Sequence, residues 1–188
     1  MLPPAPVAAT VLLTLRLAGS LSVATVRALR AAHAAAPANG EAYHRAQKIL
    51  FAQLDAGLGQ SSTGPRYFED EKMAETLAGE FEMLPETGLA LRAFAILPNH
   101  AHAVLALPAS SGLSLPKALD LLHLRTGTLC RRLVRPRLPP AAEFWHPSWH
   151  ELPLADAAEA ERAAAYVQGN ARKAGLPGRF QAWPYVNE

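Results

Sequence analysis

At 188 residues the chain is long enough for one ordinary domain with a substantial core. Half of its residues are hydrophobic and 18% are charged, too apolar for a disordered chain, and Ala-rich stretches such as "LRAAHAAAPANG" mark compositional bias rather than a structural class. The single cysteine, Cys130, excludes an intrachain disulfide framework and a cysteine-based zinc motif and suits the cytoplasm, while a net charge of +2 gives no global case for nucleic-acid binding.

The opening "MLPPAPVAATVLLTLRLAGSL" is superficially like a signal peptide. It lacks a basic leading segment and Arg16 interrupts its apolar run, so neither export nor a membrane span is expected. "VLLTLRLAGSL" (11–21) reads as a first strand that ends at Gly19-Ser20. "SVATVRALRAAHAAA" reads as a helix, and "EAYHRAQKILFAQLDAGLG" as a second one that runs out at Gly57. "QSSTGPRYF" is loop. In "EDEKMAETLAGEFEMLP", Met73, Leu77, Phe81 and Leu84 share one helical face and acids the other. "LALRAFAIL" and "HAHAVLAL" are apolar strands on either side of the turn signal Pro98-Asn99.

"SLPKALDLLHLRTGTLCRRL" is a helix with Ser114 as N-cap and Pro116 in its first turn. From Lys117 to Arg137 six basic residues face one acid, Asp120, whereas from Glu69 to Glu86 seven acids face Lys72. A basic side and an acidic side are expected. The next segment, "PRLPPAAEFWHPSWHELPL", carries five prolines and reads as loop with a short strand around Trp149 to Leu152. "DAAEAERAAAYVQGNARKAGLPG" is a helix opened by Asp156 and Glu159 and stopped by Gly175 and Pro177.

Strand alternation puts His100 and His102 on one face with Cβ atoms about 7 Å apart, a spacing that suits two ligands on one metal. HxH alone fits a pair of satisfied core histidines equally well. Tyr166 and Asn170, four residues apart, project from one face of the last helix; on spacing alone they read as a core residue and a cap. His146 and His150 precede that helix and are read as ordinary loop histidines, as are His33, His44 and His123. Cys130 reads as a small buried apolar residue.

Four segments together carry a resemblance. "LRAFAILPNHAHAVLAL" is similar to a strand pair with the motif "MPNHxH", and "YVQGNARKAGL" to "YIxxNPxKAGL". "FWHPSWHELPLADAAEAER" is similar to "FWQxxYxDxxIRDxxELER", and "VLLTLRLAGSL" to "xFVTFRLxxSL". These are motifs of the HUH single-tyrosine transposases, in the branch of the REP-associated tyrosine transposases. The resemblance covers residues 11 to 185 and implies a single HUH domain over 1–188. Its fold would be α+β, ferredoxin-like, with a central antiparallel sheet of four or five strands and helices packed on it.

The resemblance further implies that Tyr166 is the nucleophile and that His100, His102 and Asn170 hold a divalent metal, Mg²⁺ or Mn²⁺. The implied activity is that of a single-strand DNA endonuclease and strand transferase, acting beside an imperfect hairpin through a 5′-phosphotyrosyl intermediate. Candidate backbone contacts are Arg125, Arg131, Arg132, Arg135 and Arg137, with Lys173 beside the nucleophile, and Trp145 or Trp149 as a stacking surface. Leu97, Glu151 and Ala171 stand where the family has Met, Asp and Pro. A domesticated hairpin-binding protein that no longer cuts, and an unrelated metal hydrolase using the HxH pair with His146 or His150, are the competing readings. No dimer seam is visible, so both monomer and homodimer stay open.

Overall fold

The computed structural model describes residues 9–109, 112–134, 138, 142–173, 175, 177 and 178, without the side chains of 171 and 173. Four strands form one sheet in the order β2-β3-β1-β4: β1 (Ala9–Arg16), β2 (Ala90–Leu97), β3 (His100–Leu107) and β4 (His150–Pro153). Every neighbouring pair is antiparallel. Two helices, α1 (Val23–Ala34) and α2 (Gly40–Gly59), precede α3 (Glu71–Glu82) and β2; α4 (Leu115–Val134) links β3 to β4, and α5 (Ala157–Gln168) and a short α6 (Asn170–Lys173) follow. This strand order is that of the ferredoxin-like α+β arrangement, in which β1 and β3 lie side by side at the centre.

Residues directly paired across antiparallel strands project to the same face. The register therefore sets His150, Thr14, His102 and Ala95 in one row across all four strands, with Arg16 and His100 paired one step along. The other face is hydrocarbon: Leu13 pairs with Ala103, and Ala103 with Phe94. On that apolar face α3 packs through Phe81 against Phe94, ring centres 5.4 Å apart, with α4 beside α3. Helices α2 and α5 lie over the polar row, as the contacts of Phe51 and Tyr166 with His102 and its neighbours show.

Three expectations are corrected. Helix α2 does not run out at Gly57 but continues to Gly59. A Cβ at Gly57 would lie 3.1 Å from Cγ2 of Thr25, so this glycine serves the close approach of α1 rather than a helix end. The last helix is divided: α5 ends at Gln168, Gly169 caps it, and Asn170 opens α6. The acidic and basic blocks do not lie on separate sides throughout, because α3 and α4 are neighbours and Arg125 pairs with Glu80. Asp156 does cap α5, accepting from the Glu159 amide at 2.7 Å, and Cys130 is buried with its thiol pushed up to about 12, first by burial and then by Glu80. Among the described residues no helix is long and apolar enough to cross a membrane.

Candidate active site and metal centre

The buried face of α2 carries Phe51, Leu54 and Leu58, and Asp55 falls on the same side one turn after Phe51. Phe51 wedges between the rings of His102, His150 and Tyr166, at centre distances of 5.7, 6.1 and 5.7 Å. This packing brings the Asp55 carboxylate to the two histidines of β3, whose side chains are 1% and 0% exposed. Oδ1 of Asp55 lies 2.9 Å from Nε2 of His102 and 3.7 Å from Nε2 of His100. The hydroxyl of Tyr166 donates to the other oxygen, Oδ2, at 2.5 Å. One carboxylate thus joins helix α5 to the HxH strand.

The outer ring nitrogen of His100 fixes its tautomer. The Nδ2 of Asn99 donates to the Leu58 carbonyl at 3.1 Å, which turns its Oδ1 towards His100. That oxygen is 2.7 Å from Nδ1 of His100, so Nδ1 carries the proton and Nε2 presents a lone pair. Nε2 of His100 is buried and has no hydrogen-bond partner, since 3.7 Å to Asp55 is too long. Nδ1 of His102 lies 2.9 Å from the hydroxyl of Thr14, which can donate or accept and so tolerates either tautomer.

Burial pushes His100 down to about 4 in spite of Asp55 close by, so it is a neutral imidazole at neutral pH. Burial alone would raise Asp55, but His100 close by and the bonds from His102 and Tyr166 hold it below the usual carboxylate range. Tyr166 is pushed up, first by burial and then by Asp55, against a hydrogen bond from Asn170 that favours the phenolate. The resting phenol is therefore protonated.

The ligand atoms of Asp55, His100 and His102 all lie within 4.8 Å of one another, and among the described residues no other such group of histidine, cysteine or acid side chains occurs. Two imidazoles and a carboxylate are a donor set for a divalent ion, and the unpartnered lone pair of His100 fits one. Asn170, 5% exposed, has Tyr166 as its partner.

His100, His102, Tyr166 and Asn170 are thus brought together, whereas Arg125, Arg131 and Arg132 are not part of the cluster. Arg125 is engaged with Glu80. Arg131 and Arg132 lie in the last turn of α4. Arg135, Arg137 and the side chain of Lys173 lie outside the described residues. Trp145 is no stacking surface: it is 2% exposed and donates to Thr126 at 3.0 Å. Asp55, Asn99 and Thr14 are the residues that sequence reasoning missed. A signal for the first was present, an acid on the apolar face of a helix.

No family model matches the chain, and no curated protein matches it. A solved structure described as the REP-associated tyrosine transposase bound to a REP hairpin is similar over 95% of this chain and 75% of its own, with a TM-score of 0.48 and 14% identity.

Proposed function

We propose that the chain is a metal-dependent endonuclease and strand transferase for single-stranded DNA of the HUH single-tyrosine type, a single domain over 1–188 with its core over 11–185 and Tyr166 as nucleophile. The observation that carries this reading is the Asp55 carboxylate, with one oxygen on the HxH pair and the other on the Tyr166 hydroxyl. His100, His102 and Asp55 would hold Mn²⁺ or Mg²⁺, which supplies Lewis-acid polarisation of a bound phosphodiester.

The chain's own residues account for the proton and the geometry. The phenol oxygen forms a bond to phosphorus as its proton passes to Asp55 Oδ2, the hydrogen-bonded acceptor. The bond from phosphorus to the 3′-oxygen breaks, and the departing oxygen takes up a proton to become a free 3′-hydroxyl. The result is a 5′-phosphotyrosine, and attack by another 3′-hydroxyl reverses the step without ATP. Asn170 steadies the phenolate, and Phe51 holds the ring at its angle to His102.

The test incubates the full chain and Mn²⁺ with a library of strands that each pair an imperfect hairpin with random unpaired flanks. Wild type should give a protein–DNA adduct that survives denaturing detergent, and Tyr166→Phe and His102→Ala should give none. An equal adduct from Tyr166→Phe would remove Tyr166 as nucleophile.

A further inference from the structure

Alternation along β1 puts Arg16 on the same face as Thr14, and β4 adds His150 beside them. Above this edge of the sheet α1 presents Arg30 and His33, and α2 presents Leu50 and Leu54, each pair on one helical face. Together they enclose a cavity of about 420 Å³, within the usual range for small-molecule sites. Trp149, half-buried against His123 with ring centres 5.4 Å apart, forms another wall.

The charge in this cavity is unbalanced. No acidic residue lines it, and among the described residues no carboxylate pairs with Arg16 or Arg30. Burial and then the charge of Arg30 push Arg16 down to about 10, which leaves it cationic at neutral pH. Both ring nitrogens of His150 are buried without a hydrogen-bond partner. Two guanidinium groups facing one space form a site for a phosphate, and leucines with one tryptophan form a site for a flat, largely apolar body. A neighbouring cavity of about 370 Å³ shares Arg16, Arg30 and His146 and adds Arg27, so the basic lining extends past the mouth.

We propose that this cavity holds one unpaired nucleotide of the DNA strand, its phosphate on Arg16 and Arg30 and its base against Leu50, Leu54 and Trp149. The site assigned to the strand rests on the single-strand nuclease reading, because Thr14 is at once a wall of the cavity and the hydrogen-bond partner of His102. The occupant is then a nucleotide close to the scissile phosphate. Its phosphate lies on the face of the sheet that carries Thr14 and Arg16.

The test uses the full chain in EDTA, so that no cleavage intervenes, and a fluorescein-labelled mixed-sequence single strand of twelve nucleotides read by anisotropy. Arg16→Ala and Arg30→Glu should each weaken binding by about tenfold or more and lower the salt slope by about 1, while Lys72→Glu, at an exposed position of α3, should leave both unchanged. With 5-iododeoxyuridine in the strand, ultraviolet crosslinks should map to the peptide holding His146 and Trp149. Unaltered affinity in both arginine variants, or crosslinks only to α4, would overturn the assignment. So would an Arg30-dependent thermal shift given by inorganic phosphate while strand binding is indifferent to Arg30, which would mark an anion site alone. Adduct formation by wild type is scored separately. An adduct together with normal binding by the arginine variants removes the cavity only, and arginine-dependent binding without any adduct removes the nuclease reading only.

Discussion

Replacing Asn99 separates its two duties, because its two amide atoms serve different partners. Its Nδ2 satisfies the Leu58 carbonyl near the end of α2, and its Oδ1 fixes the proton of His100 on Nδ1, all in a side chain 3% exposed. Asn99→Ala leaves the buried Nδ1–H of His100 without its acceptor and the Leu58 carbonyl with only the 3.3 Å bond from the Ser61 amide, so about 1–3 kcal/mol of stability should be lost. It also frees His100 to place its proton on Nε2, and loss of such an outer partner costs about 10–100-fold in metal affinity. Asn99→Asp keeps an oxygen acceptor for His100 but offers nothing to Leu58. It should lose comparable stability and bind Mn²⁺ within about fivefold of wild type. Urea unfolding gives the first quantity and calorimetric titration of the folded proteins with Mn²⁺ the second. Folded Asn99→Ala binding Mn²⁺ as tightly as wild type would refute the tautomer argument.

Asp55→Ala should weaken Mn²⁺ binding by about tenfold or more, whereas Asn170→Ala should leave it nearly unchanged and lower adduct yield; the reverse pattern would make Asn170 the third ligand. Gly64→Ala should cost about 1–3 kcal/mol in urea unfolding, since Gly64 has φ +97° and a Cβ there would meet the Gly19 carbonyl oxygen at 2.5 Å. Burial, with His102 and His33 nearby, pushes His150 down to about 4 from an unfolded value of 6.5. Between those values the unfolded chain binds the extra proton, so stability present above 6.5 is lost as pH falls. Wild type should lose about 1–2 kcal/mol from this group between pH 7 and 5, and His150→Leu should lose correspondingly less; equal acid sensitivity in the two would exclude it.

The strand pair around Pro98-Asn99 was legible because alternating small apolar residues and two histidines at period two admit one register against a neighbouring strand. Asp156 announced the start of α5 by local capping chemistry. Nothing local announced the end of α2, where an interior glycine is kept by the approach of Thr25 from another helix. The same limit governs the site. His100 and His102 are two residues apart, but Asp55 is 47 residues from His102 and 111 from Tyr166, so their meeting is a property of the packing around Phe51. Asp55 could have been marked as an acid on a buried helical face, yet its partners could not have been named. Asn99 was read only as a turn residue, although the same side chain that ends the hairpin also orients His100.

In β1 the hydrocarbon of one face and the polar groups of the other are written on alternate residues, Leu13 and Leu15 against Thr14 and Arg16. Substitution can alter either set alone. Insertion or deletion of a single residue cannot, because it would bring leucines to the histidines and send a hydroxyl and a guanidinium into the core. The strand is therefore a reading frame. Point changes can alter the polar row over evolutionary time, while the length of the strand is locked, and chains descended from this one should vary in what β1 carries at 14 and 16 far more readily than in how many residues it has.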